Sequence, residues 1–239
     1  GRLTDSQKRA LEDLGPAFLI DYFPGLLSFT ELFGRDAPVV LEIGFGNGAS
    51  LADMAANEPD ADFLGIEVHR PGVGRLLRKL QTCGLGNVRV FCHDAVEVLE
   101  RNIPDACLSR VLLFFPDPWP KKRHHKRRLL QPTFLELLHS RLEPGGALHI
   151  ATDWANYAEH IDEVFAGSPL FTCDERREHD GDRPLDRHPL PLWAAQALED
   201  EPALTDPDSD YQERKPQMNI SVDRDRAATL GVSLSAVGR

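Results

Sequence analysis

The stretch Val39-Val40-Leu41-Glu42-Ile43-Gly44-Phe45-Gly46-Asn47-Gly48-Ala49-Ser50 constrains this chain more than any other. Its apolar, β-branched start predicts a short buried strand. Glycines at every second position predict a turn through positive φ, and Ala49 onward reads as a helix. Strand, glycine turn and helix in that order make an elbow. The first helical N–H groups then face the space above the strand's carboxyl end, where open parallel sheets hold ligands. Gly44-Phe45-Gly46-Asn47-Gly48-Ala49 also satisfies the dinucleotide fingerprint, with alanine as its last small residue. Glu42 separates the two readings. A carboxylate two residues before the first glycine would repel a pyrophosphate but could pair with a cation.

The residues around the elbow supply a β-α alternation. Thr4-Asp5-Ser6-Gln7 offers a capping box for a lead-in helix carrying Ala10, Leu11 and Leu14, with Gly15-Pro16 as its expected stop. The aromatic and leucine-rich stretch 18–33 is expected to pack on the sheet edge, with no chemistry assigned. A second strand at 62–68 ends on Glu67, about 20 residues beyond the glycines, the offset at which an acid accepts hydrogen bonds from ribose hydroxyls. A helix over 70–83 leads to a third strand at 87–92. Asp94 comes next, both as a helix N-cap and as an acceptor for the amine of an adenine. S-adenosylmethionine, with an ammonium, a sulfonium and no phosphate, suits such an acidic set.

The fourth strand, 108–115, runs into Phe114-Phe115-Pro116-Asp117-Pro118-Trp119-Pro120. Prolines on both sides of Asp117 fix the backbone, and the flanking aromatics offer flat faces for a purine. Lys121-Lys122-Arg123-His124-His125-Lys126-Arg127-Arg128 comes directly after, with six fixed positive charges in eight residues. The chain as a whole carries a formal charge of −11, which argues against whole-surface attraction to nucleic acid and confines RNA contact to this local patch. A helix over 129–142, a Pro144-Gly145-Gly146 turn and a fifth strand at 147–152 bring Asp153-Trp154 to the same rim. A helix over 156–165 and a strand at 170–176 complete the alternation expected of an α/β, doubly wound, mostly parallel sheet.

At 239 residues the chain is long enough for one α/β domain with an appendage. No apolar run approaches the roughly 20 residues of a membrane span. With no signal peptide at its start, the expected location is cytoplasmic, without membrane partners. Cys83, Cys92, Cys107 and Cys173 have no paired spacing, so neither a metal site nor a disulfide framework is expected.

With these residues assembled, positions 2 to about 187 resemble the bacterial tRNA (guanine-N7)-methyltransferase family. The resemblance lies in Leu41-Glu42-Ile43-Gly44-Phe45-Gly46-Asn47-Gly48, Gly65-Ile66-Glu67-Val68-His69, Cys92-His93-Asp94-Ala95, the block 114–128 and Ala151-Thr152-Asp153-Trp154. It implies a class I, Rossmann-like methyltransferase fold that uses S-adenosylmethionine to methylate N7 of guanine 46 in the variable loop of tRNA. It further implies that Glu42, Gly44, Gly46, Glu67, Asp94 and Asp117 hold the cofactor. Asp117 would stand at the catalytic centre, and Lys121 and Asp153 would contact the tRNA. An Asp-Pro-aromatic segment after the fourth strand also occurs in amino-methylating enzymes, so DNA and small-molecule substrates stay open at this point, as does a catalytically silent RNA-binding protein.

The resemblance stops near Arg187. The family's Thr-Lys-Phe-Glu type segment and its final antiparallel strand have no counterpart in His188-Pro189-Leu190-Pro191-Leu192-Trp193 or in the residues after Trp193. Residues 211–233 instead resemble a porter segment of resistance-nodulation-division efflux transporters. The expected division is therefore a methyltransferase domain at 1–187 and a non-family segment at 188–239. Two outcomes are open for that segment: Gln217 to Val222, which alternates like a strand, takes the place of the missing strand, or the tail forms its own unit with a helix at 193–198. From Leu190 on it holds nine acidic and five basic residues, so it is expected to weaken tRNA affinity.

Overall fold

A computed structural model describes residues 3–178 and 216–221. Its strands are β1 (Leu19–Ile20), β2 (Val39–Ile43), β3 (Asp62–Ile66), β4 (Val88–Phe91), β5 (Leu108–Phe114), β6 (Leu142–Ala151), β7 (Thr172–Glu178) and β8 (Pro216–Ser221). They form one sheet in the order β1-β4-β3-β2-β5-β6-β8-β7. Every pairing from β1 to β6 is parallel. The helices are α1 (Asp5–Phe18), α2 (Phe29–Phe33), α3 (Ala49–Asn57), α4 (Arg70–Cys83), α5 (Ala95–Arg101), α6 (Pro132–Arg141) and α7 (Ala155–Ala166), with a 3₁₀ helix, η1 (Lys122–Arg127), between β5 and α6.

Strands β2 and β3 are buried along their whole length, as central parallel strands covered by helices on both faces must be. On one face Val40, Phe63, Val90 and Leu112 meet Leu51 and Met54 of α3 and Leu76, Leu77 and Leu80 of α4. On the other, Leu41, Ile43, Leu64, Val111 and Ile150 meet Leu99 of α5, Leu135 and Leu138 of α6 and Ile161 of α7. The chain winds outward from β2 in one direction through β3 and β4, then returns and winds outward in the other through β5 and β6. The sheet therefore has its topological switch between the carboxyl ends of β2 and β5, the place where doubly wound sheets leave a crevice.

Local expectations hold at the capping box, where Gln7 N–H donates to Thr4 Oγ1 and Thr4 N–H to Gln7 Oε1. The helix does not stop at Gly15-Pro16, however. Proline removes one N–H from the ladder without closing the turn, and Leu19 N–H still donates to Gly15 O at the end of α1. The stretch after α1 does reach the sheet edge, through β1 against β4. The fifth strand starts earlier than expected, at Leu142, because Leu142 pairs with Leu108 before a register shift resumes pairing at Ala147 opposite Arg110. The expected 144–146 turn lies within that interruption.

Strand β8 lies antiparallel between β6 and β7. Residues beyond 187 thus supply a strand of the same sheet, with Met218 opposite Ile150. The first of the two outcomes for the tail is the one the structure shows. The 187/188 boundary and the alternative helix at 193–198 lie outside the described residues.

Candidate active site

The elbow forms as its sequence predicts. Gly44, Gly46 and Gly48 all adopt positive φ, at 73°, 58° and 77°. Gly48 is doubly required: a Cβ there would sit 2.6 Å from Leu76 Cβ of α4, so a side chain would be both strained and blocked. Gly72 at the start of α4 matters for its lack of volume, since a Cβ would lie 2.0 Å from Gly46 O. The turn is therefore gripped between its own helix and the next one. Gly44 N–H donates to Ile66 O at 2.8 Å, tying the turn to β3.

Glu67 completes this bracing. One of its carboxylate oxygens accepts from Gly46 N–H at 2.8 Å and the other from His69 N–H at 2.8 Å. The side chain singled out for ribose binding thus also holds the glycine turn in shape. Each carboxylate oxygen has a second lone pair, so both roles are compatible.

Glu42 is a different kind of residue. It is 2% exposed, and its Oε2 has no hydrogen-bond partner among the described residues. Burial, then the neighbouring Glu67 carboxylate, push its pKa up to about 8, with Ser50 opposing. A buried acid with an orphaned oxygen beside a glycine turn has the chemistry to hold a cation, and the ammonium of S-adenosylmethionine would suit it. A bound cation would also restore the carboxylate to its charged form.

Asp94 is exposed, and its Oδ1 caps α5 by accepting from Val96 and Glu97 N–H at 2.9 and 3.1 Å. Its neighbour His93 stacks on Tyr22 with ring centroids 3.9 Å apart and bonds Glu97 at 2.6 Å. The 22–27 loop that brings Tyr22 there is anchored by Asn102, whose Nδ2 donates to Phe23 O and Gly25 O.

On the other side of the switch, Asp117 is exposed and Oδ1 accepts from Trp119 N–H at 3.1 Å. The prolines alone do not set this turn. Phe115 and Trp119 have φ of 49° and 45°, left-handed values that cost non-glycine residues roughly 1–2 kcal/mol each. Such strain persists only where the surroundings impose it. Phe115 N–H donates to Ala151 O on β6, Arg127 lies over the Trp119 ring at 5.0 Å, and Arg128 Nε donates to Pro118 O at 2.9 Å. Within the basic run, Lys122–Arg127 form the 3₁₀ helix η1. Lys121, Lys122, Arg123, Lys126 and Arg127 are exposed. Arg128 turns the other way and is buried, a correction to the expectation that the whole run meets phosphate. Asp153 is exposed at the end of β6, and Thr152 Oγ1 accepts from Trp154 N–H, the N-cap of α7.

Taken along the sheet, Asp94, Glu67, Glu42, Asp117 and Asp153 stand at or just beyond the carboxyl ends of the neighbouring strands β4, β3, β2, β5 and β6, in that spatial order. At about 4.8 Å per strand this row spans roughly 19 Å. The exposed apolar side chains Tyr22, Val68 and Phe115 come after β1, β3 and β5 at this same edge. Among the described residues no group of three or more His, Cys, Asp or Glu is placed to hold a metal, and no helix is long and apolar enough to cross a membrane. A cleft of about 300 Å³ lies beside η1, bordered by Val96, Glu100, Arg127, Gln131 and Phe134; it is separate from the acidic row.

Comparison with known proteins agrees with this geometry. A family model described as "Putative methyltransferase" matches residues 36–215. A tRNA (guanine-N(7)-)-methyltransferase of Shewanella amazonensis is 58% identical over 171 residues, which cover 72% of each chain. The chain belongs to the tRNA (guanine-N7)-methyltransferase family. A second relative in this family, from Alkalilimnicola ehrlichii, is 56% identical over 189 residues, covering 77% of this chain and 80% of its own. Among solved structures, the 16S rRNA methyltransferase KamB superposes with a TM-score of 0.57 at 13% identity, covering 87% of this chain and 99% of its own, which establishes the class I methyltransferase fold. The family model runs past residue 187, the expected edge of the methyltransferase domain.

The structure also supplies residues that the sequence did not single out. Arg128, Asn156 and Tyr157 form a packed group under the Asp117 turn: Arg128 Nη2 donates to Asn156 Oδ1 at 2.8 Å and its guanidinium lies 4.9 Å from the Tyr157 ring centre. Burial raises the Tyr157 pKa, and its hydroxyl accepts from Leu130 N–H. Tyr157 lies on the buried face of α7 with Ile161 and Val164, a spacing that a helical pattern could have marked. Nothing in a run of six cations marks its last member as the buried one.

Proposed function

We propose that this chain transfers the methyl group of S-adenosylmethionine to N7 of guanine 46 in the variable loop of tRNA. The observation that carries this reading is the meeting, at one topological switch, of a cation socket and a cationic turn. Glu42 and the glycine elbow stand on one side, and Asp117 with the exposed lysines and arginines of η1 stands on the other. Family membership points to the same substrate.

The donor brings an activated methyl group. The chain's task is then to align and to stabilise. Guanine N7 offers an in-plane lone pair and carries no proton, so no general base is needed and rate comes from holding the reacting atoms in line. Glu42 fixes the donor's ammonium end, while Glu67 and the glycine turn fix its ribose. Asp94 accepts from the adenine amine. Asp117 accepts from the N–H edge of the guanine and opposes the positive charge that arrives on the purine, an effect that grows where water is excluded. Lys121 and its neighbours contact backbone phosphate, and Asp153 contacts the RNA from β6.

Residues 1–187 carry this chemistry in our reading, and 188–239 are an appended segment whose residues 216–221 enter the sheet as β8, between β6 and β7. A cytoplasmic location goes with a tRNA substrate. Incubating the chain with labelled S-adenosylmethionine and an unmodified tRNA transcript tests the proposal. Label should enter the RNA, and cleavage at N7-methylguanine should map to position 46. Label at another atom, or undiminished transfer to a transcript with adenine at that position, would refute it.

A further inference from the structure

We propose that Arg128 is a positioning residue. Its buried guanidinium ties the 116–119 turn to the start of α7 and so sets where the Asp117 carboxylate stands against the reacting guanine. The inference rests on the reaction proposed above and gives a new role to a residue that sequence alone groups with the phosphate-binding run.

Three observations carry it. First, Arg128 is 2% exposed, whereas Lys121, Lys122, Arg123, Lys126 and Arg127 are exposed, so it is withdrawn from any RNA lying on η1. Second, its contacts bridge two elements. Nε donates to Pro118 O at 2.9 Å, Nη2 to Asn156 Oδ1 at 2.8 Å and Nη1 to Asn156 O at 3.3 Å, and the guanidinium carbon lies over the Tyr157 ring, 4.9 Å from its centre. All of these partners are neutral, and no carboxylate lies within ion-pair distance among the described residues. A cation taken from water with no carboxylate in contact, only Glu163 acting from farther off, is costly to keep, so its retention calls for a geometric reason. Third, the turn it grips is strained at both ends, with Phe115 and Trp119 in the left-handed region. Phe115 is held by its N–H donating to Ala151 O. Pro118 O, next to Trp119, is held by Arg128. Released from that bond, the turn can relax toward ordinary φ and carry Asp117 with it.

The planar fork of arginine is what this job needs. A lysine keeps the charge but cannot bond Pro118 O and Asn156 Oδ1 in fixed directions while stacking on Tyr157. Arg128→Lys therefore separates positioning from charge.

The test uses the full chain and a tRNA transcript. Arg128→Lys should lower kcat at saturating tRNA by about 10- to 100-fold, the scale of a misplacement near 1 Å. KM for tRNA and its dependence on salt should stay within about twofold of wild type, because no phosphate contact is lost. Asn156→Ala, at an exposed helix position that tolerates alanine, should reduce kcat in the same direction by about three- to tenfold. Hydrogen exchange in a peptide covering 115–121 should accelerate about tenfold in Arg128→Lys, with the 39–57 peptide unchanged.

A raised KM with a shallower salt dependence and unaltered kcat would make Arg128 a phosphate contact and overturn the proposal. A lower melting temperature with kcat and exchange at 115–121 unaltered would reduce it to a core residue and overturn it equally. If Arg128→Lys does not fold, Asn156→Ala decides by the same kcat and exchange readings. If wild type methylates no tRNA, the proposed reaction fails, and the exchange result still judges the clamp.

Discussion

On the proposed cofactor side of the switch the glycine backbone forms its own turn, whereas on the proposed RNA side a side chain holds the backbone in place. Gly44, Gly46 and Gly48 take positive φ without penalty, and the Glu67 carboxylate accepts from the N–H of Gly46. Across the crevice, Phe115 and Trp119 take similar φ at a cost, and prolines, an arginine fork and a cation over an indole keep them there. The first arrangement is local and cheap to encode. The second depends on α7 and β6, elements far along the chain, and is therefore easier to damage from a distance.

The sharpest way to break the comparison is at Asp117, the residue proposed to face the reacting guanine. Asp117→Ala should lower kcat by about 10²- to 10³-fold, the scale seen when a single preorganised electrostatic group is removed. Cofactor affinity, measured by calorimetry, should change far less; equal losses in both would place Asp117 in the donor's site alone.

Glu42→Gln probes the other side. It should weaken S-adenosylmethionine binding by about 10- to 100-fold, the worth of one charge-assisted pair. Wild-type affinity should rise by up to about tenfold per pH unit from pH 6 to 7.5, because Glu42 with a pKa of about 8 must shed its proton to pair with the ligand's ammonium. The unliganded fold responds with the opposite sign. Folded Glu42 holds a proton that the unfolded chain releases above its ordinary value of 4.5, so Glu42 removes stability as pH climbs from there to about 8. Glu42→Gln should therefore be the more stable protein at pH 8, by an amount on the order of a few kcal/mol, and denaturant titration at pH 5 and 8 reads it.

Gly48→Ala tests whether the elbow's conformation matters apart from its charge. With φ at 77° and Leu76 in the way, we expect a loss of roughly 1–3 kcal/mol in unfolding free energy together with weaker cofactor binding. The smallest expected effect is at the exposed cations. Lys126→Ala or Arg123→Ala should weaken tRNA binding only a few-fold and lower the salt slope by about 0.7–0.9 per charge removed, without touching cofactor affinity. A change in cofactor affinity in either variant would mean that the two sides are not separable.

Much of the architecture was legible because it is written in local patterns. The elbow, the order of strands β2 to β6 and the acid at or just beyond the end of each rest on periodicity and glycine spacing, and the structure returns them within a residue or two apart from the early start of β6. The end of α1 was not legible. Gly15-Pro16 reads as a stop, yet whether a helix ends there depends on whether the next turn can still close, as Leu19 N–H does on Gly15 O. The same applies to Arg128. Six cations in eight residues are alike until α7 supplies Asn156 and Tyr157 to receive one of them.

The sequence by itself determined the kind of sheet and the row of acids on its rim, because the strand period, the glycine turn and the placing of an acid at each strand's end are properties of short segments. Only the tertiary structure decided what each charged group does. It buried Glu42 with one carboxylate oxygen unpartnered among the described residues, turned Glu67 back onto the glycine loop, tied Arg128 to Pro118 and let residues 216–221 enter the sheet beside β6. Burial, charge and pairing depend on neighbours tens of residues away, and that information exists only once the chain has folded.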